Sequence, residues 1–442
     1  MKKVMIIGAV AVVAIVGYLG ISPIVTSKIV EENFSTVTTN IAKEANIELK
    51  DFSYQPSLTG ATAYTEFQPY GQAQQTPVKV KHEISTIPFY TKTDGSRGLA
   101  AAYIKSTLTD DNFSPDMQEK ITTAFNGQTP LLLETVVDYS GNYHLTLTIP
   151  PAEIAEDQNS LKFSGLNGNL DVSKDGKQAT GNAQFLSLLV NSEGGAVQLA
   201  DFETHMDQTM NSAGLWTGKS DFKIANINTQ TPMGAFNMNQ VSLEANAADQ
   251  TQTLDYLIKF AIKEIISPEG FPLAVNSMDY QIKVNNVDST AVATLLQALE
   301  DMQRQLQTST PEEQQQIAQQ FGLQNSESFD QLLRANPVMI QTLAIDTAQG
   351  PVNMDMDINF TGFPQDQTIA GLETPAQLIQ YVNGTLKARS PLALLQMTPL
   401  APQLEAYQQQ GLLKVDGDTA MVDAVLKDSQ LTLNNQPIPL QF

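Results

Sequence analysis

The sequence predicts an α+β fold in which one N-terminal transmembrane helix is followed by a body of antiparallel strands with packed helices. Three observations carry that expectation. An apolar run follows Met1-Lys2-Lys3, apolar and polar residues alternate along much of the remaining chain, and a few segments instead repeat their apolar residues every three to four positions.

Val4 through Val25 is almost uninterruptedly apolar, with Ser22 and Pro23 close to its far end. At about 1.5 Å per residue it spans about 33 Å, enough for the hydrocarbon core of a bilayer. Lys2 and Lys3 keep the start cytoplasmic by the positive-inside rule and place the C-terminus across the membrane. A cleaved signal peptide shares the charged start and apolar stretch. Cleavage needs small residues just beyond a shorter apolar core, however. Ala9-Val10-Ala11 comes too early and Tyr18 to Pro23 offers no match. The expectation is an uncleaved anchor over 1–26, with a cleaved peptide and a soluble body as the alternative. Ile29, Val30, Phe34, Val37, Ile41 and Ala45 then form an apolar stripe that predicts a helical stalk over 27–45. No later apolar run is long enough for a second crossing.

Beyond the stalk, Val78 to Ile84 alternates as a half-buried strand. Leu131 to Ile149 reads as a hairpin turning at Ser140-Gly141-Asn142. Further strands are expected at Leu166 to Val172, Ala179 to Val190, Val197 to Met206, Lys219 to Ile227, Ala235 to Glu244 and, most clearly, Val352 to Phe360. Helices are expected at Thr253 to Ile266, where Leu254, Leu257, Ile258, Ala261, Ile262 and Ile265 share a face, and at Ser289 to Leu306. Thr310-Pro311-Glu312-Glu313 reads as a capping box opening another helix, with Gly322 as its stop, and a short helix over Ser328 to Ala335 follows. The organisation is then a strand-rich region (46–287), a helical insertion (288–336) and a C-terminal strand-rich region (337–442).

Composition narrows the function classes. The 442 residues are 42% hydrophobic, enough for a substantial core, and carry a formal charge of −22. So acidic a body disfavours nucleic acid and anionic headgroups as partners. With no cysteine there is no disulfide, lipoprotein attachment, thiol catalysis or cysteine-held metal. Only His82, His144 and His205 remain for histidine chemistry.

Candidate motifs resolve into ordinary structure. Ala213 to Ser220 resembles a phosphate loop but lacks its first glycine, and a strand pattern follows instead of a helix. Asp171 to Gly176 resembles the start of a calcium loop, yet its twelfth position is Asn182 and its flanks are strands. Asp355 and Asp357 read as the wet face of a sheet beside Asn353 and Asn359. Alternation puts Asp201, Glu203, His205 and Asp207 on one face, a conceivable metal site but more simply a solvated strand. His82 and His144 sit in strands without a partner that spacing would single out. No catalytic, cofactor-binding or metal residue is assigned, and the chain is read as a non-enzyme without a cofactor.

Several soft motifs, in order, cover nearly the whole length: Lys28-Ile29-Val30-Glu31-Glu32-Asn33-Phe34 after the anchor, Tyr54 to Ala61, His82 to Phe89, Gly214-Leu215-Trp216-Thr217-Gly218, and a tail from Gly411 to Pro437. In these the chain resembles the bacterial YdgA family. It departs where that family tends to read His-Gly-Pro, having Thr86-Ile87-Pro88, and in Asn434-Asn435 before the last strand. The resemblance implies a single-pass inner-membrane protein of Gram-negative bacteria with a periplasmic body, and it brings no catalytic residues. The expected function is a non-enzymatic binding or scaffolding role in the envelope. A more specific form has an apolar sheet face holding lipid or another hydrophobic ligand, unless the helices at 254–266 and 292–306 close that face. The alternative is a protein-interaction or assembly factor engaging an envelope partner or a second copy, and the third class is a periplasmic hydrolase.

Overall fold

Strand after strand pairs with the one before it in this chain. The computed structural model describes residues 47–69, 77–232, 234–268, 274–372 and 374–439. It divides into two units, 1–209 and 210–442.

In the N-terminal unit, β1 (Ile47–Ser57), β2 (Gly60–Pro69) and β3 (Val78–Ser85) pair in turn, all antiparallel. A separate small hairpin follows, made of β4 (Phe89–Thr91) and β5 (Arg97–Leu99). The sheet resumes with β6 (Ala102–Leu108), β7 (Leu132–Val137) and β8 (Tyr143–Ile149). The hairpin of β9 (Ala152–Glu156) and β10 (Asn159–Phe163) is then stepped over, and β11 (Leu166–Val172) pairs back on β8. Gly165 makes that return possible. Its φ is +88° in the left-handed region, and a Cβ there would lie 2.8 Å from the Ile149 carbonyl oxygen. The long β12 (Gln178–Ser192) holds β11 along its first half, β10 along its second, and β13 (Gly195–Met210) on its other side. Helix α1 (Pro115–Ala124) sits between β6 and β7, with Pro at its first position. Strict alternation puts Leu166, Leu170 and Val172 inside while Asn167, Asn169 and Asp171 face water.

The C-terminal unit is a meander. Its strands β14 (Trp216–Thr231), β15 (Gly234–Asp249), β16 (Thr253–Ile266), β17 (Val275–Asp288), β18 (Val338–Thr347), β19 (Val352–Phe360) and β20 (Val382–Pro391) each pair antiparallel with the next. After the short helices α5 (Leu392–Gln396) and α6 (Leu404–Gln409), the short β21 (Lys414–Asp416) and the longer β23 (Gln430–Leu433) share one side of β22 (Thr419–Lys427), which pairs with β20 on its other side. The last strand, β24 (Gln436–Ile438), pairs with β23. Between β17 and β18, which pair directly, stand α2 (Ser289–Thr308), α3 (Pro311–Gln324) and α4 (Ser326–Arg334).

Residues 253–266 correct the sequence reading, because the expected helix is β16, held between β15 and β17 over its length. Its apolar residues fit both periods. Leu254, Tyr256, Ile258, Phe260 and Ile262 alternate as well as they spiral, and β-branched and aromatic side chains suit a pleated surface flanked by partners. Gly322 does not stop α3, which runs on to Gln324. The anchor over 1–26 and the stalk over 27–45 lie outside the described residues. Among those described, no helix is long and apolar enough to cross a membrane.

The capping box at Thr310 is present, with its hydroxyl accepting from the Glu313 backbone N–H and its own N–H donating to the Glu313 carboxylate at 2.7 Å. Replacing Thr310 by alanine removes the hydroxyl acceptor and is expected to cost about 1 kcal/mol. Thermal denaturation of the variant measures it; an unchanged midpoint would show that α3 does not depend on its cap.

Candidate ligand-binding face

Cross-strand register assembles what no single strand displays. In the C-terminal unit, Phe222, Leu243, Phe260, Tyr280, Leu343, Met354, Ala388 and Val422 are successive partners from β14 to β22. The next row on the same face runs Ala245, Ile258, Ile282, Gln341, Met356, Leu386, Ala424 and Leu433. A third runs Ile224, Val241, Ile262, Met278, Ile345 and Val352. One residue along each strand, the opposite face reads Asp221, Glu244, Lys259, Gln281, Thr342, Asp355, Lys387 and Asp423. With strands about 4.8 Å apart, the apolar rows extend about 34 Å across the sheet.

A face of this kind is ordinarily closed by a second layer. In the N-terminal unit, the equivalent row of Ala61, Ile84, Ile104, Thr135, Leu145 and Leu170 is buried throughout. The C-terminal face differs. Among the sheet's described apolar residues only Val241, Leu254, Ile262, Pro391 and Ala420 are buried, while Ile258, central on β16, is 42% exposed and Ile266 is 50% exposed. Two expected helices were the alternative to an open face. One of them is β16 itself, within the sheet. The other, α2, buries Ala291 and Leu295 but leaves Leu296 and Leu299 exposed. Exposed apolar patches beyond a few hundred Å² mark surfaces that bind something.

The apolar rows end in a polar ladder on the same face. Asn226 and Asn228 of β14 lie alongside Asn239 and Asn237 of β15, and Glu264 of β16 comes next to Asn239. The Asn226 amide donates to the amide oxygens of Asn237 and Asn239, the latter at 2.7 Å, and the Asn239 amide donates to the Glu264 carboxylate. Asn228 Oδ1 is buried with no hydrogen-bond partner.

The three histidines fall elsewhere, in the N-terminal unit. His82 lies on its inner face, Nε2 2.9 Å from Thr65 Oγ1 and Nδ1 2.8 Å from Ser106 Oγ. Imidazole beside a serine hydroxyl has the spacing of a nucleophile and its base, but Thr65 and Ser106 are buried core positions. The pair is therefore structural. Burial pushes the His82 imidazole down to about 4 from its ordinary 6.5. The unfolded chain takes up this proton below pH 6.5 and the folded chain only near pH 4, so stability is full above that window and falls as pH drops through it. The loss should be at most about 3 kcal/mol. Urea unfolding at about pH 7 and about pH 4.5 should show a smaller loss for His82→Gln than for the wild type; equal losses would remove His82 as the cause.

His144 is exposed, with Nδ1 2.6 Å from Asp171 Oδ1 and Nε2 3.5 Å from Asp138 Oδ2. Carboxylates face both ring nitrogens, so neither is left to activate a nucleophile. Sequence reasoning could not pair it with Asp171, which register brings alongside from β11. His205 Nε2 is 3.1 Å from Glu203 Oε1. Asp201, Glu203 and Asp207 are exposed on the same strand, in unshifted register with β12. Asp201 itself has a φ of +52° and sits where the β12–β13 pairing is interrupted. Among the described residues, no three His, Asp or Glu side chains gather to hold a metal.

The two loop-like motifs are turns. Asn211 Oδ1 accepts the Ala213 and Leu215 N–H groups at 3.0 Å, and Thr217 to Ser220 continue into β14. Asp175 accepts from Ser173 Oγ at 2.7 Å between β11 and β12, which holds its carboxyl below the usual range. Asp355 and Asp357 lie on the polar face of β19, opposite Lys387 and Thr385. Glu134 escaped sequence reasoning. It is buried, accepting from Thr93 N at 2.8 Å and from the Tyr103 hydroxyl, whose pKa is raised by burial and by Glu134. With Tyr90 stacked on Tyr103 at 5.6 Å, it pins the β4–β5 hairpin to the sheet. Nothing around Glu134 in the sequence signals that contact.

A family model described as a bacterial protein of unknown function, DUF945, matches residues 1–441. The chain belongs to that family. No curated protein and no solved structure matches it. In this DUF945 member the half-buried apolar face, with its polar end, is the arrangement best fitted to hold a ligand.

Proposed function

We propose that this chain is a non-enzymatic binding protein of the bacterial envelope whose C-terminal unit holds lipid or another hydrophobic ligand on its apolar face. The carrying observation is Ile258, exposed midway along β16 next to a row that stays apolar across eight strands. The resemblance to the YdgA family and the apolar run from Val4 to Val25 support a single-pass position in the inner membrane with the body in the periplasm. Lipid copurifying from a gently solubilised preparation, identified by mass spectrometry, is the expected result. A preparation free of lipid that also takes up none from mixed vesicles would count against it.

A protein-interaction role is the second reading. It is favoured by Leu58, Ile87, Phe89 and Leu99, all exposed in the N-terminal unit, where the Thr86 N–H donates to the Thr59 carbonyl and Phe89 pairs with Leu99. In-cell crosslinking from Phe89 should then capture one specific envelope protein or a second copy.

A further inference from the structure

The polar ladder at the end of the apolar rows does not help to bury the rows, and its hydrogen bonding is unbalanced. The Asn226 amide spends its N–H groups on Asn237 and Asn239, and Asn239 donates to Glu264. One line of these bonds, from Asn226 through Asn239, ends on the Glu264 carboxylate. One buried acceptor is left over. Asn228 Oδ1 lies directly opposite Asn237 in the pairing, buried and without a partner. A buried acceptor left unmade is costly, and a donor that satisfies it gains correspondingly. An anionic head would bring further acceptors beside Asn228 and a like charge beside Glu264. We propose that the ladder is a headgroup site for an amphiphile that donates hydrogen bonds, a hydroxyl or primary ammonium group carried on a long alkyl chain. The inference rests on the apolar face being a ligand site.

Geometry accommodates such a molecule. Six residues separate Asn228 from Phe222 along β14, about 20 Å at the rise of a strand. One acyl tail covers half of a bilayer's hydrocarbon core, about 15 Å. A head at Asn228 therefore leaves the tail over Ile224, Val241 and Ile262 and toward Phe222 and Phe260, without reaching the sole tryptophan, Trp216.

Calorimetric titration of the full-length chain in mild detergent with three amphiphiles of equal tail tests this: palmitoylglycerol, hexadecylamine and palmitate. The glycerol ester, the amine or both should bind roughly tenfold more tightly than palmitate, a ratio expected of one buried hydrogen bond. Preference for only one of the two donors identifies the hydroxyl or the ammonium as the source. Asn228→Leu should erase the preference while palmitate binding persists. Asn228→Asp keeps the shape and adds acceptor charge, and should widen the preference for the amine. Equal binding of all three, or a preference for palmitate, overturns the headgroup assignment and leaves the apolar face standing. No binding of any overturns both.

Discussion

Aspartate at position 258 is expected to leave the protein folded and to reduce its bound lipid roughly tenfold or more. Ile258 is 42% exposed, so in the unliganded sheet the new carboxylate stays hydrated. Its cost in stability should be no more than about 1 kcal/mol, as for most surface substitutions. With a hydrocarbon chain laid across the face, the same carboxylate would lose its water without gaining a partner. Binding and folding therefore separate at this residue. Lipid extracted from equal amounts of wild type and Ile258→Asp, together with their denaturation midpoints, measures both. A variant that keeps its lipid would place the ligand elsewhere, and one that fails to fold would show that the face is interior.

The opposite expectation holds for Leu170→Ala. Leu170 is 2% exposed and is paired between Leu145 on β8 and Gly181 on β12. Its truncation removes buried methyl groups and leaves a cavity that packed neighbours fill only in part, costing about 3 kcal/mol. Ile258→Ala, a comparable truncation on the other apolar face, should cost less than about 1 kcal/mol because water already reaches that side chain. Urea unfolding of the two variants compares the faces directly. Equal losses would contradict the distinction between a packed N-terminal face and an open C-terminal one.

How much of this was legible before the structure depends on the kind of information each feature needs. Strands such as Leu166–Val172 and Val352–Phe360 declare themselves because alternation is local, and the Thr310 capping box is equally local. β16 was misread for the same reason. Its apolar residues satisfy two periods, and only partners on both sides settle which period is used. The apolar face was foreseen as a tendency of single strands. Its rows depend on register across eight strands, which no window along the chain contains. The ladder from Asn226 to Glu264 was invisible as a unit, since Asn and Gln are scattered throughout this sequence and only pairing places these few together. His144 with Asp171, and Glu134 with Tyr103, are long-range contacts of the same kind.

The unbroken order of pairing in the C-terminal unit has a consequence for how it is made. From β14 to β17 every strand finds its neighbour in the hairpin just completed, and β18 and β19 repeat the pattern. Contacts so near in sequence close quickly, because little loop entropy is lost before each one forms. A chain emerging from its N-terminal side can add strands one at a time, each new edge serving as template for the next. The longest interruption is the β17–β18 junction, where all of α2, α3 and α4 must be spanned first. Assembly should pause there, with β17 as a temporary open edge and the aggregation hazard that such edges carry.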